Sequence, residues 1–378
     1  MHVERLELVD FRNHPTIALD LPSGPSVLVG PNGAGKTNVL EAIGYLATLG
    51  SHRLGQDSSL VRVGASTAVI RAAAVRDGRT ILVDLEIRPG SGVRGRINRA
   101  PPPRARDLLG IVRATLFAPE DLALVRGDPE ERRRFLDTLA VQRLPRYLAI
   151  RQDYDRVLRQ RNTLLRSAGG RVPSGPGLAT LDVWDEKLAA AGGGLWAERL
   201  RLIDEIRIPV ERSYQDLAAQ PDAVEMVYVS SVLGSEAADP DPDPDALAHA
   251  MRERLLVDRV REVERGITLS GPHRDELALS LRGLPARTHA SHGEAWSLAL
   301  ALRLGAHQLL ASEGEEPVLL LDDVFAELDR RRRDRLADLA VAVEQTIITA
   351  SLADELPVEL KATMFHVKPG NVAREADS

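Results

Sequence analysis

Along the first 120 residues, short apolar runs alternate with turn-forming residues: VERLELVDF, TIALDL and SVLVG, then STAVIRAAAV, RTILVDLEI and VRGRIN. Alternation of this kind, bounded by Gly, Pro, Asn and Asp, predicts β-strands. After Gly30 the spacing changes. Val39, Leu40, Ile43 and Leu46 recur at helical intervals until Gly50, so a strand, a glycine loop and a helix are expected in succession.

From about Leu122 to Arg265 the period is helical almost throughout. Tyr147, Ile150, Tyr154, Val157 and Leu164 form one stripe, and Leu181, Trp184, Leu188, Ala191 and Leu195 a second, which predicts two helices packed as a short hairpin. The stretch SAGGRVPSGPG between them reads as a turn-rich connector. SEAADPDPDPD, further on, reads as an acidic, proline-punctuated loop, and both are expected to be mobile. A helix of about forty residues spans only about 60 Å, which excludes long coiled-coil arms.

Strand signals return from Ile267. An amphipathic helix from Glu294 to about Leu310 follows, then the apolar strand PVLLLDD, a helix from Arg330 to about Val343, and the strands QTIITAS and FHVK. The polar tail beyond Pro369 is expected to fray. The pattern predicts an α/β head built from both chain ends, residues 1–121 and 266–378, with residues 122–265 inserted as an α-helical lobe.

Composition narrows the class. With 378 residues, 44% hydrophobic and 28% charged, the chain resembles an ordinary globular protein with a sizeable core. The absence of cysteine excludes disulfides, thiolate metal sites and a cysteine nucleophile, and fits a reducing cytoplasm. No apolar run approaches eighteen residues, and Met1 leads directly into the charged alternation HVERLELVDF, so the chain reads as neither secreted nor membrane-spanning. A net charge of −6 requires any nucleic-acid contact to come from a local patch. Ten arginines stand against six acids between Asp128 and Arg166, which makes this stretch the first candidate; a solvated helix face is the competing reading.

The strongest chemical signal is GPNGAGKT: Gly30, Pro31, Asn32, Gly33, Ala34, Gly35, Lys36 and Thr37. This is a complete phosphate-loop pattern between a strand and a helix. Gly30, Gly33 and Gly35 allow the backbone to wrap phosphate oxygens, so that N–H groups and the positive end of the following helix face the anion. Lys36 supplies a point charge to the β- and γ-phosphates, and the Thr37 hydroxyl completes the coordination of Mg²⁺. Lys36 is one of four lysines against forty-five arginines, so a lysine here is a selective choice. In PVLLLDDVFAELD, a buried apolar strand would deliver Asp322 to the Mg²⁺ of a bound ATP, with Asp323 next to the attacking water. Ser291, His292, Gly293 and Glu294 form a capping box, and the same glycine-containing turn offers N–H groups to a γ-phosphate.

These elements, in this order and with a helical insertion, resemble the ABC-type heads of the SMC superfamily, and more closely the RecF family. LVDFRNH, FAPEDLALVRGDPEERRRFLD (Phe117 to Asp137), GPHRDEL (Gly271 to Leu277) and LLLDDVFAELD carry the resemblance from end to end. It implies an ABC/SMC-type P-loop ATPase head with Gly30 to Thr37 as Walker A, Asp322 as the Walker B magnesium ligand and Asp323 as the catalytic carboxylate. Arg12 would lie near the phosphates. Ser291 to Glu294 becomes the signature loop that reaches a partner's ATP, and Ala326 to Asp329 the D-loop at the dimer interface. SHGE replaces the usual SGGQ, Thr349 stands near the place of a switch histidine, and Glu120 is the nearest stand-in for a Q-loop glutamine.

The resemblance further implies a cytoplasmic ATPase of recombinational repair that is weak and DNA-stimulated. ATP would close a homodimer on duplex DNA or on junctions between single and double strands, and slow hydrolysis would release it. RecR would be the partner, with RecO and RecA in the same pathway, and roles in replication maintenance and SOS induction are implied. Arg132, Arg133 and Arg134 are candidate DNA contacts, a helix-surface role being the alternative. Two other readings of the nucleotide site stay open: a transporter's ATPase subunit, and a scaffold that holds ATP without turning it over.

Overall fold

The computed structural model describes residues 1–51, 57–90, 92–102, 104–170, 176–218, 222–234, 241–357 and 360–375. The middle of the turn-rich connector (171–175) and the start of the acidic loop (235–240) lie outside the described residues. The chain divides into two compact units: one of Met1–Leu122, Ile208–Asp222 and Ser291–Ser378, the other of Ala123–Arg207 and Ala223–Ala290.

In the first unit the N-terminal segment provides strands β1 (His2–Phe11), β2 (His14–Asp20) and β3 (Gly24–Val29), helix α1 (Lys36–Thr48), and strands β4 (Ala68–Arg76), β5 (Arg79–Arg88), β6 (Gly92–Ile97) and β7 (Ala114–Phe117). The second unit follows with helices α2 (Leu122–Arg126), α3 (Pro129–Arg143), α4 (Pro145–Ser167) and α5 (Pro176–Leu217, of which the part from Ile208 belongs to the first unit), strand β8 (Val224–Val229), helix α6 (Pro244–Arg265), strands β9 (Glu276–Leu281) and β10 (Leu284–Pro285), and the short helix α7 (Ala286–His289). The chain then returns to the first unit through α8 (His292–Ser312), β11 (Val318–Leu321), α9 (Arg330–Ala342), β12 (Gln345–Ala350), β13 (Thr363–Lys368) and β14 (Asn371–Arg374).

Two sheets organise the first unit. The antiparallel sheet has the order β2-β1-β4-β5-β6. Its strands alternate as the sequence predicts, with Val83, Leu85 and Ile87 of β5 buried and Asp84 and Glu86 facing out. The second sheet has the order β14-β13-β3-β12-β11-β7 and is parallel except for β14. Every residue of β11 and β12 is buried, as expected for central strands covered on both faces. All the parallel strands end at one edge, where Gly30 follows β3, Asp322 follows β11 and Ser351 follows β12. Ligands bind at this edge in open α/β sheets.

In the second unit, α4, α5 and α6 meet around Arg161, which is fully buried. Its Nε donates to Asp185 of α5 at 2.6 Å, Nη2 to Glu262 of α6 at 2.6 Å and Nη1 to Thr268 at 2.8 Å. The expected two-helix hairpin is therefore a three-helix arrangement with a charged centre. Another buried pair joins Asp137 of α3 to Arg199 of α5 at 2.8 and 2.9 Å, and Arg199 also donates to the Pro272 carbonyl at 2.6 Å.

Four sequence expectations need adjustment. Residues 122–265 contain a strand, β8, whose six residues pair antiparallel with β9 and are too few to stand out against long flanking helices. That pairing also holds residues 266–290 in the second unit, where the sequence reading put them in the head, and Ile208–Asp222 belong to the first. Helix α8 is buried on all sides through Ala295–Leu302, making it a core helix instead of an amphipathic one. Asn371–Arg374 do not fray but pair with β13.

Candidate functional site

Residues 30–37 join the end of β3 to the start of α1. Gly35 caps that helix at φ 111°, a conformation that favours glycine, and a Cβ there would lie 2.4 Å from His14 Nε2. Both the backbone angle and the crowding thus demand glycine. His14 Nε2 donates to the Gly35 carbonyl at 3.0 Å, and burial lowers the imidazole pKa, so the ring is neutral with its proton on Nε2. Asn13 Nδ2 donates to the Gly33 carbonyl at 3.1 Å, while its Oδ1 accepts from Asn38 at 2.7 Å. Lys36 is only 3% exposed, and its ammonium donates to the Gly30 carbonyl at 2.9 Å, folding back along the loop.

The two acidic residues after β11 occupy the neighbouring strand end. Thr37 Oγ1 donates to Asp322 Oδ1 at 2.8 Å, across 285 residues of sequence. The same oxygen accepts from Thr349 Oγ1 of β12 at 2.7 Å, and Thr349 in turn accepts the Asp323 N–H at 2.8 Å. Asp323 adopts φ 48°, a left-handed angle that Asp tolerates better than most residues, and its Oδ1 is buried without a hydrogen-bond partner. Beyond β12, Ser351 Oγ donates to Asn32 Oδ1 at 2.8 Å, tying the loop tip to the central strand.

The residues fit a magnesium nucleotide. Thr37 and Asp322 present a hydroxyl and a carboxylate at hydrogen-bond distance, the two protein oxygens that such sites commonly offer Mg²⁺. Among the described residues there is no cluster of three or more acidic or histidine side chains able to cage a metal ion.

The remaining candidate residues make contacts of their own. The Arg12 guanidinium is bound to the buried Glu41 of α1, at 2.5 and 2.8 Å, and to Ser59, so it is Asn13 and His14 beside it that touch the loop. Glu120 is exposed just past β7, while the adjacent Asp121 is buried and accepts from Arg303 of α8 at 2.5 Å. Ser291 caps α8: it accepts from the Glu294 N–H at 3.3 Å, and Glu294 accepts the Ser291 N–H at 2.7 Å. At Gly293 the missing side chain leaves room for Arg332, whose guanidinium would lie 3.1 Å from a Cβ. Arg332 also bonds Ser297 at 2.8 Å and pairs with Asp329, linking the Ser291 turn to the Ala326–Asp329 segment.

Arg132, Arg133 and Arg134, the candidate DNA contacts, all have partners within the second unit. Arg132 is 4% exposed and grips Glu276 at 2.6 and 2.7 Å, with further bonds to the carbonyls of Leu124 and Gly127. Arg133 donates to the Asp275 carbonyl at 2.6 Å, and Arg134 pairs with Glu130 and Glu131. Much of the surplus positive charge of residues 128–166 is neutralised by acids outside the segment, Glu276 on Arg132, Glu205 on Arg143, and Asp185 and Glu262 on Arg161. Asn13 and His14 close LVDFRNH, one of the stretches that carry the family resemblance, but their contacts with the loop, like that of Ser351 with the loop and of Arg332 with the Ser291 turn, arise only through folding.

A P-loop at the end of one parallel strand, an Asp-Asp pair at the end of another and an inserted helical unit define an ABC/SMC-type P-loop ATPase head. The family model described as RecF/RecN/SMC N-terminal domain matches residues 2–368. The chain is 54% identical over 377 residues to the DNA replication and repair protein RecF of Frankia alni, and 51% identical over 380 residues to that of Streptomyces avermitilis. In both cases 99% of this chain and 100% of the relative are covered. The chain belongs to the RecF family. Its fold is similar to that of the recombination mediator protein RecF-ATPrS in RecFOR pathway, with TM-score 0.89, 24% identity and 99% and 98% of the two chains covered. An SMC head bound to the C-winged helix domain of ScpA gives TM-score 0.54 at 14% identity, covering 100% of this chain and 98% of that one.

Proposed function

We propose that this chain is an ATP-dependent DNA-binding protein of recombinational repair, in which two copies close on DNA with ATP held between them and slow hydrolysis reopens them. The observation that carries the reading is the bond between Thr37 and Asp322, which brings the phosphate loop and the acidic pair into one site. Gly30 to Thr37 bind the triphosphate, with Lys36 turning from the Gly30 carbonyl to the β- and γ-phosphates. Thr37 and Asp322 hold Mg²⁺, which neutralises phosphate charge. Asp323 orients the attacking water through the carboxylate oxygen that now has no hydrogen-bond partner.

The Ser291 turn, with Gly293 and Arg332 behind it, faces the γ-phosphate bound to the second copy. Arg12 acts from behind, keeping Asn13 and His14 against the loop through its pair with Glu41. Asp323 is one methylene shorter than a glutamate, so it aligns water less well and turnover is weak, with DNA as the stimulant. The bound DNA is duplex or a junction of single and double strands. RecR is the direct partner, RecO and RecA act in the same cytoplasmic pathway to load RecA, and the same activity supports replication maintenance and SOS induction. The names of the relatives and the RecFOR setting of the similar structure support this placement.

Sedimentation with ATP, with ADP and without nucleotide, each with and without gapped DNA, tests the reading. A dimer only with ATP, reinforced by DNA, is expected. Asp323→Asn should keep that dimer while lowering single-turnover phosphate release by about 100-fold. A monomer at saturating ATP, on DNA as well as off it, would refute the scheme.

A further inference from the structure

A basic segment that the nucleotide site does not use lies in the first unit. From Arg88 to Arg106 the chain carries six arginines (Arg88, Arg94, Arg96, Arg99, Arg104 and Arg106) and no acid, in a protein of net charge −6. Strand β6, in the middle of it, is the outermost strand of the five-stranded sheet, and its burial alternates strictly. Val93 and Ile97 pack against the core, and Leu108 fills the space over Gly95. That register leaves Arg94 and Arg96 on the exposed face, about 7 Å apart along the strand.

The strand ends in a two-residue turn. Asn98 (φ 49°) and Arg99 (φ 70°) are both left-handed, the Ile97 and Ala100 backbones bond to each other at 2.8 and 2.9 Å, and Asn98 Oδ1 accepts the Leu82 N–H at 3.0 Å. Glycine is the favoured residue at the second position of such a turn. An exposed arginine there works against local folding, so folding does not explain its presence.

Neighbouring acids do not neutralise the edge. Glu86, opposite Arg94, is bonded by Arg88 at 2.7 Å, and Asp84, opposite Arg96, lies 3.9 Å from Arg71. Arg94, Arg96, Arg99 and Arg104 are exposed and, among the described residues, form no ion pair with a carboxylate. Guanidinium groups suit phosphate oxygens, to which they can donate two parallel hydrogen bonds. A row of them on an edge strand follows a linear polyanion.

We infer that this arginine edge, β6 with its turn and Arg104, binds the phosphate backbone of duplex DNA without regard to sequence. The inference rests on the DNA-binding reading above and supplies a surface for it. Each neutralised phosphate contributes about 0.9 to the slope of log affinity against log salt. The test compares the full-length protein with the variant Arg94→Ala, Arg96→Ala, Arg99→Gly, Arg104→Ala, by fluorescence anisotropy on duplex DNA from about 50 to 200 mM salt, and with the single variant Arg99→Gly.

The expected result is a slope shallower by about 3.6 and a Kd at least tenfold weaker in the quadruple variant, and a slope shallower by about 0.9 in the single one. ATP-driven self-association without DNA should be unchanged. Unaltered slope and Kd in both variants, with the parent binding DNA, would overturn this surface and leave the function reading standing. A parent that binds no DNA would overturn both. Binding to anionic lipid vesicles as tight as to DNA, and lost in the same variant, would overturn the choice of DNA as the partner.

Discussion

Thr37 and Asp322 meet at 2.8 Å although 285 residues separate them. On the proposed reading neither position serves without the other: a P-loop hydroxyl with no acid beside it would lack half of its metal site, and an acid after an apolar strand is by itself only a helix cap. Their meeting depends on β3 and β11 being parallel, separated by β12, so that both strand ends point the same way. Thr349, near the end of that intervening strand, contributes the second hydroxyl on Asp322.

Thr349 should therefore be a positioning residue for hydrolysis. Thr349→Val removes one donor from Asp322 and leaves the Asp323 N–H without its acceptor, a loss of about 1–3 kcal/mol. Phosphate release in a single turnover should fall about tenfold or more, and ATP affinity, measured with a fluorescent analogue, should change much less. Thr349→Ser keeps the hydroxyl and should recover most of the rate; equal losses in the two variants would show that the methyl packing, and not the bond, is important.

In the second unit, Arg161→Met should be severe. It leaves Asp185 and Glu262 as buried carboxylates without their central cation, and breaking such a pair costs about 3–5 kcal/mol. Arg259 still reaches Asp185 at 2.6 Å, which places the loss toward the lower figure. Urea unfolding followed by circular dichroism checks this, and adding Glu262→Gln should recover part of the lost stability.

His307 of α8 is buried with its Nε2 3.8 Å from Glu316 Oε1, beyond hydrogen-bond reach, and burial outweighs that carboxylate and lowers the imidazole pKa from 6.5 to about 4. The unfolded chain takes up a proton below pH 6.5 that the folded chain refuses, so this residue makes the fold less stable as the pH falls from 6.5 toward 4. Comparing the parent with His307→Leu isolates the effect from other titrating groups. The variant's relative stability in urea should rise between pH 7 and pH 5; a difference independent of pH would remove the imidazole from the account.

How much of this was legible beforehand follows from what is local. GPNGAGKT and the apolar strand before Asp322 are continuous patterns, and both strands and the helix after the loop are where spacing put them. LVDFRNH marked Asn13 and His14 only through its family resemblance; their contacts with the loop were not legible, because two polar residues in a hairpin turn carry no periodic signal and meet the loop only once the two sheets are assembled. Local charge counting does not reveal that Arg132 is buried against Glu276, because a sequence does not show which way a helix face is turned. Strand β8 was lost for a third reason: its six residues gain their pairing from β9, almost fifty residues away, so nothing nearby announces them.

The proposal that nucleotide is shared between two copies is tested most directly by mixing two defective proteins. Lys36→Met removes the phosphate-loop cation but leaves the Ser291 turn, and Ser291→Arg blocks that turn but leaves Lys36. Each should be inactive and monomeric by itself with ATP, whereas an equimolar mixture should form dimers containing one intact site and regain up to about half of parent hydrolysis, one of the two sites in each dimer. If the mixture stays monomeric and inactive while the parent protein dimerises, or if Ser291→Arg alone hydrolyses ATP as the parent does, the site is not shared across the two subunits.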